Sequence, residues 1–394
     1  MDYIKITLKP GKEDSFHRFH PWVFSGAIYR FEKQPEEGDI VEVTDHQGNF
    51  IGIGQYQIGS IAVRILTFKP EEINEQFYFK RLQEAYNVRL SLGPLNGEYN
   101  NTCRLVHGEG DNLPGLIIDL YNKTAVMQAH TPGMHYARHQ IAQALKSVLG
   151  NAIDNIYYKS ETTLPYKAEL DAENEYLLGG DAPNIATENG LKFYVDWVRG
   201  QKTGFFVDQR ENRALLERYA HGRSVLNMFC YTGGFSFYAM RGNAKLVHSV
   251  DSSSKAIDLT CKNVELNFPG DNRHQAFAED AFKFLDTMGD QYDLIILDPP
   301  AFAKHKKVLN NALQGYRKLN AKAFEKIRPG GILFTFSCSQ VVSKENFRLA
   351  VFSAAAQSGR NVRILHQLTQ PADHPVNIYH PEGEYLKGLV LYVE

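Results

Sequence analysis

Apolar and polar residues follow different rhythms in successive stretches of the chain. Through about residue 70 they alternate. GDIVEVTDHQGNFIGIGQY, 38–56, keeps a strand rhythm on both sides of a break at His46-Gln47-Gly48-Asn49, which predicts a hairpin, and SIAVRILTF, 60–68, predicts another strand. Short strands and glycine turns without a long helix predict a small β-barrel over residues 1–72. Pro70-Glu71-Glu72 ends that rhythm. Phe79, Leu82, Tyr86 and Leu90 then recur at helical spacing between Phe77 and Leu90. Residues 95–115 are polar and punctuated by glycine, ending in GEGDNLPG. GLIIDLY and KTAVMQAH read as paired strands, Ile141, Leu145 and Val148 mark a helix, and NIYYKS reads as a strand. The stretch 73–185 is therefore expected to be a compact α+β segment.

From residue 186 to 394 the texture changes. SVLNMFC, KLVHSVD, HQAFAED, DLIILDPP and GILFTFSC read as strands, separated by helices that include one through NVELN and one from about Leu309 to Ile327. Nearly continuous apolar strands alternating with helices predict a parallel sheet covered on both faces.

Composition narrows the functional classes. The chain has 394 residues, 43% hydrophobic and 22% charged, which fits folded domains rather than disorder. Its net charge of −2 means that a nucleic-acid partner needs a local basic patch rather than the field of the whole molecule. No apolar run is long enough to cross a bilayer, and MDYIKITLKP lacks the apolar core of a signal peptide. Cys103, Cys230, Cys261 and Cys338 form no C-x-x-C pair or metal-ligand spacing. A reduced, cytoplasmic protein without structural disulfides, metal or membrane contact is expected.

In a doubly covered parallel sheet, ligands bind beyond the carboxyl ends of the strands. LNMFCYTGGFS, 226–236, ends the first strand with Gly233 and Gly234 ahead of a helix, which lets backbone approach a ligand closely. It is not G-x-G-x-x-G, so dinucleotide binding loses its main support. Asp251 ends the second strand, placed either for a ribose diol or for capping the next helix. Asp280 ends the third, as an adenine contact or a helix cap. YDLIILDPPAF, 292–302, ends the fourth with Asp298, two stiffening prolines and Phe302 as a flat stacking surface. FTFSCSQVV, 334–342, ends the fifth at Cys338. Alone, that cysteine reads as a small buried hydrophobe; sharing a sheet edge with Asp298 and the glycine turn points to chemistry. QKTGFFVDQRENR, 201–213, is suited to close over a ligand. Lys304, His305, Lys306 and Lys307 read as a solvated face or as phosphate contacts.

Together, LNMFCYTGGFS, Asp251, Asp280, LDPPAF and FSCS resemble a class I S-adenosylmethionine-dependent methyltransferase. KTGFFVDQR, GYRKLN (315–320), ADHP (372–375) and EGEYLKG (382–388) narrow the resemblance to the RlmI-type family, bacterial enzymes that methylate carbon 5 of cytosine in 23S ribosomal RNA. HPWVFSGAI, 20–28, and SIAVRILTF resemble that family's PUA domain, a small RNA-binding barrel, and RLVHGEGDNLPGLIIDLY resembles its middle domain. The resemblance implies an α/β fold whose Rossmann-like methyltransferase sheet carries helices on both faces, S-adenosylmethionine as cofactor, and ribosomal RNA as partner, with a homodimer left open. It implies that Asn227, Phe229, Gly233 and Gly234 cradle the methionine part of the cofactor, Asp251 its ribose and Asp280 its adenine. Gln209 and Arg210 would belong to the cofactor wall, and Asp298 would face both the sulfonium methyl and the target base. Phe302, Lys304 and Lys202 would meet the substrate, and Cys338 would be the nucleophile.

Chemistry gives its own reason for a thiol. Carbon 5 of cytosine is a poor nucleophile until a thiolate adds to carbon 6 and makes the ring enamine-like. Two features depart from related patterns. A second cysteine, which another group of RNA cytosine methyltransferases carries after the two prolines, is absent from Pro299-Pro300-Ala301, and the lysine common in the family there is Ala301. Two rival functions remain: methylation of an exocyclic amine such as adenine N6, which needs no thiol, and a non-catalytic RNA-binding assembly factor.

Overall fold

The computed structural model describes residues 3–95, 97, 99–165, 170, 173–180, 182–303 and 305–394; Lys304 lies outside the described residues. Contacts divide the chain into two compact units. The first comprises Met1–Gly190, Val195–Val207 and Ala372–Gly383; the second comprises Leu191–Tyr194, Asp208–Pro371 and Glu384–Glu394. Where the sequence predicts three consecutive segments, the structure gathers the first two into one unit and adds to it a piece of the third.

The first unit opens with a six-stranded sheet built from Ile4–Leu8, Trp22–Phe24, Ile28–Phe31, Ile40–Thr44, Phe50–Tyr56 and Ile61–Thr67. Alternation turns Ile6, Val23, Val41, Val43 and Val63 inward. The predicted hairpin forms because Asp45 Oδ1 accepts from the Gln47 and Asn49 N–H groups, each at 2.8 Å, while Gly48 supplies φ +89°. Helix Glu75–Leu92 follows, capped by Asn74 and ended by Gly93 in the left-handed region. It is longer at both ends than the apolar spacing predicts. A five-stranded sheet, Thr102–His107, Leu116–Tyr121, Thr124–Ala129, Asn155–Tyr158 and Glu175–Leu178, completes the middle segment with helix Arg138–Leu149.

Strand Thr102–His107 is not evident from the punctuated composition of 95–115. Its arginine is neutralised inside the sheet: Arg104 Nε and Nη2 donate to Asp119 Oδ1 and Oδ2 at 2.7 and 2.8 Å. The same region explains the ADHP motif as a clamp within the first unit. Arg89, fully buried, donates to both oxygens of Asp111 (2.5 and 2.7 Å) and to the Asp373 carbonyl (2.8 Å). Asp373 Oδ2 accepts from the Arg104 N–H at 3.1 Å. Gly110 is required at this contact, since a Cβ there would lie 1.9 Å from the Pro375 carbonyl oxygen.

The second unit carries the sheet expected after residue 186. Its strands are β1 (Ser224–Met228), β2 (Leu246–Asp251), β3 (His274–Ala278), β4 (Leu294–Leu297), β5 (Gly331–Ser337), β6 (Val362–Leu368) and β7 (Lys387–Val393). Their order is β3-β2-β1-β4-β5-β7-β6; the first five are parallel, and β7 runs antiparallel to both β5 and β6. Every residue of β1, β4 and β5 is buried, as a doubly covered sheet requires, whereas the edge strands β3 and β6 are partly exposed. Alternate side chains feed two cores: Ile295 and Leu297 join one, Leu294 and Ile296 the other. Helices α1 (Arg210–Ala220), α2 (Gly234–Arg241), α3 (Ser254–Asn267), α4 (Ala281–Thr287), α5 (Leu309–Lys326) and α6 (Lys344–Ser358) alternate with the strands. β6 and β7 extend the sheet beyond the five strands read from the sequence.

Because Arg89 is buried against a carboxylate and a carbonyl, Arg89→Leu leaves Asp111 uncompensated. We expect the first unit to lose about 3–5 kcal/mol, measured as a fall in the denaturant midpoint of its unfolding transition.

Candidate active site

The chemistry-bearing side chains of the second unit meet at the carboxyl ends of β1, β2, β4 and β5. The first piece is the turn from β1 to α2. Phe229, Tyr231 and Gly233 all take positive φ (58°, 48° and 84°). For Phe and Tyr this conformation costs on the order of 1–3 kcal/mol each, so the surroundings must hold it. They do: Tyr231 N–H donates to Asp251 Oδ2 (3.0 Å), Thr260 Oγ1 donates to the Tyr231 carbonyl (2.9 Å), and Asn263 Nδ2 donates to the Thr232 carbonyl (2.9 Å). Gly233 caps α2, and a Cβ there would lie 2.7 Å from Thr260 Cγ2. Gly234 is buried at the first position of α2.

The competing expectations for the carboxylates resolve differently. Ser253, not Asp251, caps α3. Asp251 instead ties two loops together, with Oδ1 accepting from the Ser253 N–H at 2.9 Å and Oδ2 from Tyr231. Asp280 does cap a helix: it is exposed, and its Oδ1 accepts from the Lys283 N–H at 3.0 Å. Asn227 is buried, its amide donating to Ser236 Oγ at 2.9 Å in a chain that continues to Ser249 and His274. Phe229, half-buried, packs on the neighbouring core.

KTGFFVDQR is split between the units. Lys202 belongs to the first, where its carbonyl accepts from Gln128 Nε2. Asp208, Gln209 and Arg210 belong to the second. Gln209 is buried and its amide is fixed at both ends, accepting from Asn212 Nδ2 (2.6 Å) and donating to Asp298 Oδ2 (3.0 Å). Arg210 and Arg213 are buried on the same helix. Asp298 thus faces Gln209, Asp208 and Arg213. Burial, reinforced by Asp208, pushes its carboxyl up to about 7, against the Gln209 hydrogen bond and the Arg213 charge, which pull it down. The residue as a whole is half-buried at the end of its strand.

Phe302 is half-buried rather than a free flat surface. Its ring lies 4.7 Å from that of Tyr316, over Gly315, where a Cβ would approach to 3.0 Å. Cys338 is half-exposed, and the serines beside it are buried anchors. Ser337 Oγ donates to Tyr316 Oη (2.9 Å), and Ser339 Oγ donates to the Ala303 carbonyl (2.6 Å). The second bond fastens the cysteine turn to the loop after Asp298. Lys387, the residue paired with Ser337 across β5 and β7, reaches over this turn; its Nζ donates to the Ser339 and Tyr385 carbonyls at 2.6 and 2.7 Å. Lys387 and Tyr316 sit in the EGEYLKG and GYRKLN motifs, but no site role is evident for either from the sequence. The signal for Lys387 is a lysine placed at the start of an apolar strand, GLVLYV.

The other cysteines are poorer candidates. Cys230 lies in the glycine turn, but burial pushes its thiol well up; Cys103 is buried, and Cys261 is exposed on α3. Among the described residues no cluster could hold a metal, and no helix is long and apolar enough to cross a membrane. What the site offers is a turn of strained backbone, Asp298 beside Asp208, and a thiol. Thr232 Oγ1 and Asp208 Oδ1 are buried without a partner among the described residues, as suits a site for a polar, cationic small molecule.

Comparison with known proteins agrees with this geometry. Residues 158–381 match the model of an S-adenosylmethionine-dependent methyltransferase family, and residues 6–68 match that of a PUA-like domain. Two proteins named ribosomal RNA large subunit methyltransferase I are similar over nearly their whole length. The one from Tolumonas auensis is 41% identical over 395 residues (98% of each chain), and the one from Escherichia coli is 37% identical over 397 residues (99% of each). The fold is shared with a Streptococcus mutans protein assigned as a SAM-dependent methyltransferase (TM-score 0.85, 23% identity, 99% of this chain and 100% of that one). It is shared equally with a protein assigned as a methyltransferase and solved with S-adenosylhomocysteine (TM-score 0.85, 24% identity, the same coverage).

The raised Asp298 carboxyl makes a testable demand on stability. In the unfolded chain it ionises near 4, in the folded chain near 7. Keeping it in place therefore costs nothing below pH 4, and the cost grows between pH 4 and 7 and is complete above. Asp298→Asn should melt with the wild type at pH 4 and above it at pH 8, a gap of at most about 3–4 kcal/mol. A gap that does not change with pH would contradict the assignment.

Proposed function

The chain belongs to the S-adenosylmethionine-dependent methyltransferase family, and we propose that it methylates carbon 5 of a cytosine in large-subunit ribosomal RNA, with Cys338 as nucleophile. The observation that carries this reading is the half-exposed thiol fastened, through Ser339 and Ala303, to the loop that follows Asp298. An exocyclic-amine methyltransferase has no use for a reachable thiol at that point. The names of the relatives support ribosomal RNA as the partner, and the cytoplasm as the compartment follows from that partner.

When bound, S-adenosylmethionine supplies an electrophilic methyl on a cationic sulfur. Asp298, with Asp208 beside it, would face that cation. Asp251 would reach the ribose with the lone pairs not used by Ser253 and Tyr231, and Asp280 the adenine with the oxygen that does not cap α4. Asn227, Phe229, Gly233 and Gly234 would form the floor and turn beneath the methionine part, with Gln209 and Arg210 behind Asp298. Phe302, Lys304 and Lys202 would meet the RNA.

On the base, the Cys338 thiolate forms a bond to carbon 6 and shifts the electron pair of the 5,6 double bond toward carbon 5. A carboxyl poised near pH 7 suits the partner role. Ionised beside the sulfonium, one of its oxygens can accept from the exocyclic amine; on recovering a proton, the other can donate to ring nitrogen 3 as negative charge develops there. Once carbon 5 carries the methyl, transfer of the carbon-5 proton to water restores the double bond and expels Cys338 as thiolate.

Cys338→Ala should bind S-adenosylhomocysteine normally yet transfer labelled methyl to undermethylated ribosomal RNA at least about 10³-fold more slowly; undiminished transfer would leave the amine reading standing. RNA containing 5-fluorocytidine should form a covalent adduct with the wild type and none with the variant. A cation beside Asp298 favours its ionised form, so binding S-adenosylmethionine should release a proton. Calorimetry should show its affinity rising from pH 6 to pH 8, while that of uncharged-sulfur S-adenosylhomocysteine stays level.

A further inference from the structure

β7 brings a lysine to the cysteine turn that none of the chemistry above uses. Lys387 is directly opposite Ser337 in the antiparallel β5–β7 pair, and only 6% of its surface is accessible. Two of its three ammonium hydrogens are spent on carbonyls, Ser339 (2.6 Å) and Tyr385 (2.7 Å); the third has no hydrogen-bond partner among the described residues. The Ser339 carbonyl belongs to the residue immediately after Cys338. A buried ammonium is costly unless an anion faces it, and two neutral carbonyls alone do not supply one.

The charges around this pair leave a clear balance. Lys344, at the start of α6, and Glu384, just before β7, form an ion pair with each other at 2.6 Å, both about half exposed, and offset one another. Tyr316 on α5 is neutral, its phenol pushed up to about 12 by burial. Asp298, beyond Tyr316, is the other acid and opposes a second negative charge. Lys387 is thus an enclosed cation held against the cysteine turn at the residue after Cys338. Burial draws its ammonium down to about 8, and Cys338 is the largest influence holding the charge in place.

We propose that Lys387 is the positioning residue that keeps Cys338 as a thiolate, gripping the cysteine turn by the Ser339 carbonyl while its charge offsets the anion. The thiol proton leaves to solvent, and the ammonium keeps all three of its own. This deepens the carbon-5 reading and rests on Cys338 as its nucleophile, but it makes a claim about the free protein that needs neither RNA nor cofactor. A cysteine beside a fixed cation ionises below its ordinary range.

The test is the pH dependence of alkylation by iodoacetamide on the full chain, read residue by residue by mass spectrometry. Cys261, exposed on α3, is the internal reference. In the wild type the Cys338 midpoint should lie below that of Cys261. In Lys387→Met it should rise by about one pH unit, roughly tenfold less thiolate at pH 7, with Cys261 unmoved and S-adenosylhomocysteine still bound. A Cys338 midpoint unchanged in Lys387→Met would overturn the proposal, since a purely structural lysine would alter stability and not this titration. Should Lys387→Met fail to fold, the reciprocal measurement serves: in Cys338→Ala, the Lys387 ammonium, followed by carbon-13 NMR of ε-labelled lysine, should titrate at lower pH than in the wild type. An unchanged lysine titration would equally sink the pairing. Loss of the carbon-5 reading would appear elsewhere, as methyl transfer by Cys338→Ala, and would leave these two titrations as they are.

Discussion

The carboxyl group at the end of β4 is enclosed by protein, and enclosure works against its charge. Much of the second unit's site answers to that tension. Asp208 beside Asp298 makes ionisation harder, and Gln209 and Arg213 make it easier. The Gln209 amide can point only one way because Asn212 holds its other end. Asp208 in turn is gripped by the Tyr385 hydroxyl at 2.6 Å. The outcome is a group near its midpoint at neutral pH, able to act with or without its proton, which neither an exposed aspartate nor a fully paired one would provide.

The cysteine half of the site obeys a different rule, that of geometry before charge. FTFSCSQVV looks like a strand dissolving into solvent, with serines marking the exit. Both serine hydroxyls instead turn inward, one to Tyr316 and one to the Ala303 carbonyl, and Cys338 is left as the least buried of the three, half-buried against one of the apolar cores. The two prolines, Gly315 and Tyr316 seat Phe302 against α5, so the loop that Ser339 grips is itself packed on a helix. A thiol and a carboxyl at the ends of neighbouring strands are thereby held by the loops that carry them.

The sheet was legible from residue pattern because β1, β4 and β5 are apolar from end to end and lie between helices, so burial on both faces left its mark on every position. Strand ends were legible for the same reason: Asp251, Asp298 and Cys338 interrupt apolar runs. Less visible were features that depend on partners far away in the chain. Arg104 reads as a loop residue until Asp119 pairs with it, and ADHP reads as a motif of unknown purpose until Arg89 takes its carbonyl. Whether Asp251 caps a helix turned on one residue, Ser253, whose hydroxyl caps α3 and frees Asp251 to brace the strained turn. Lys387 was hidden because strand register, not sequence distance, sets it opposite Ser337.

That register carries a consequence for the order of assembly. β7 follows every other strand of its sheet along the chain, yet it inserts between β5 and β6, which are both made before it. Until it is synthesised, β5 has an open edge and the cysteine turn lacks its lysine. During translation, therefore, Asp298 and Cys338 are made before the lysine that grips the Ser339 carbonyl. β5 and β6 are joined in the sheet only through β7, so the edge of β5 stays open to wrong partners until that strand is made.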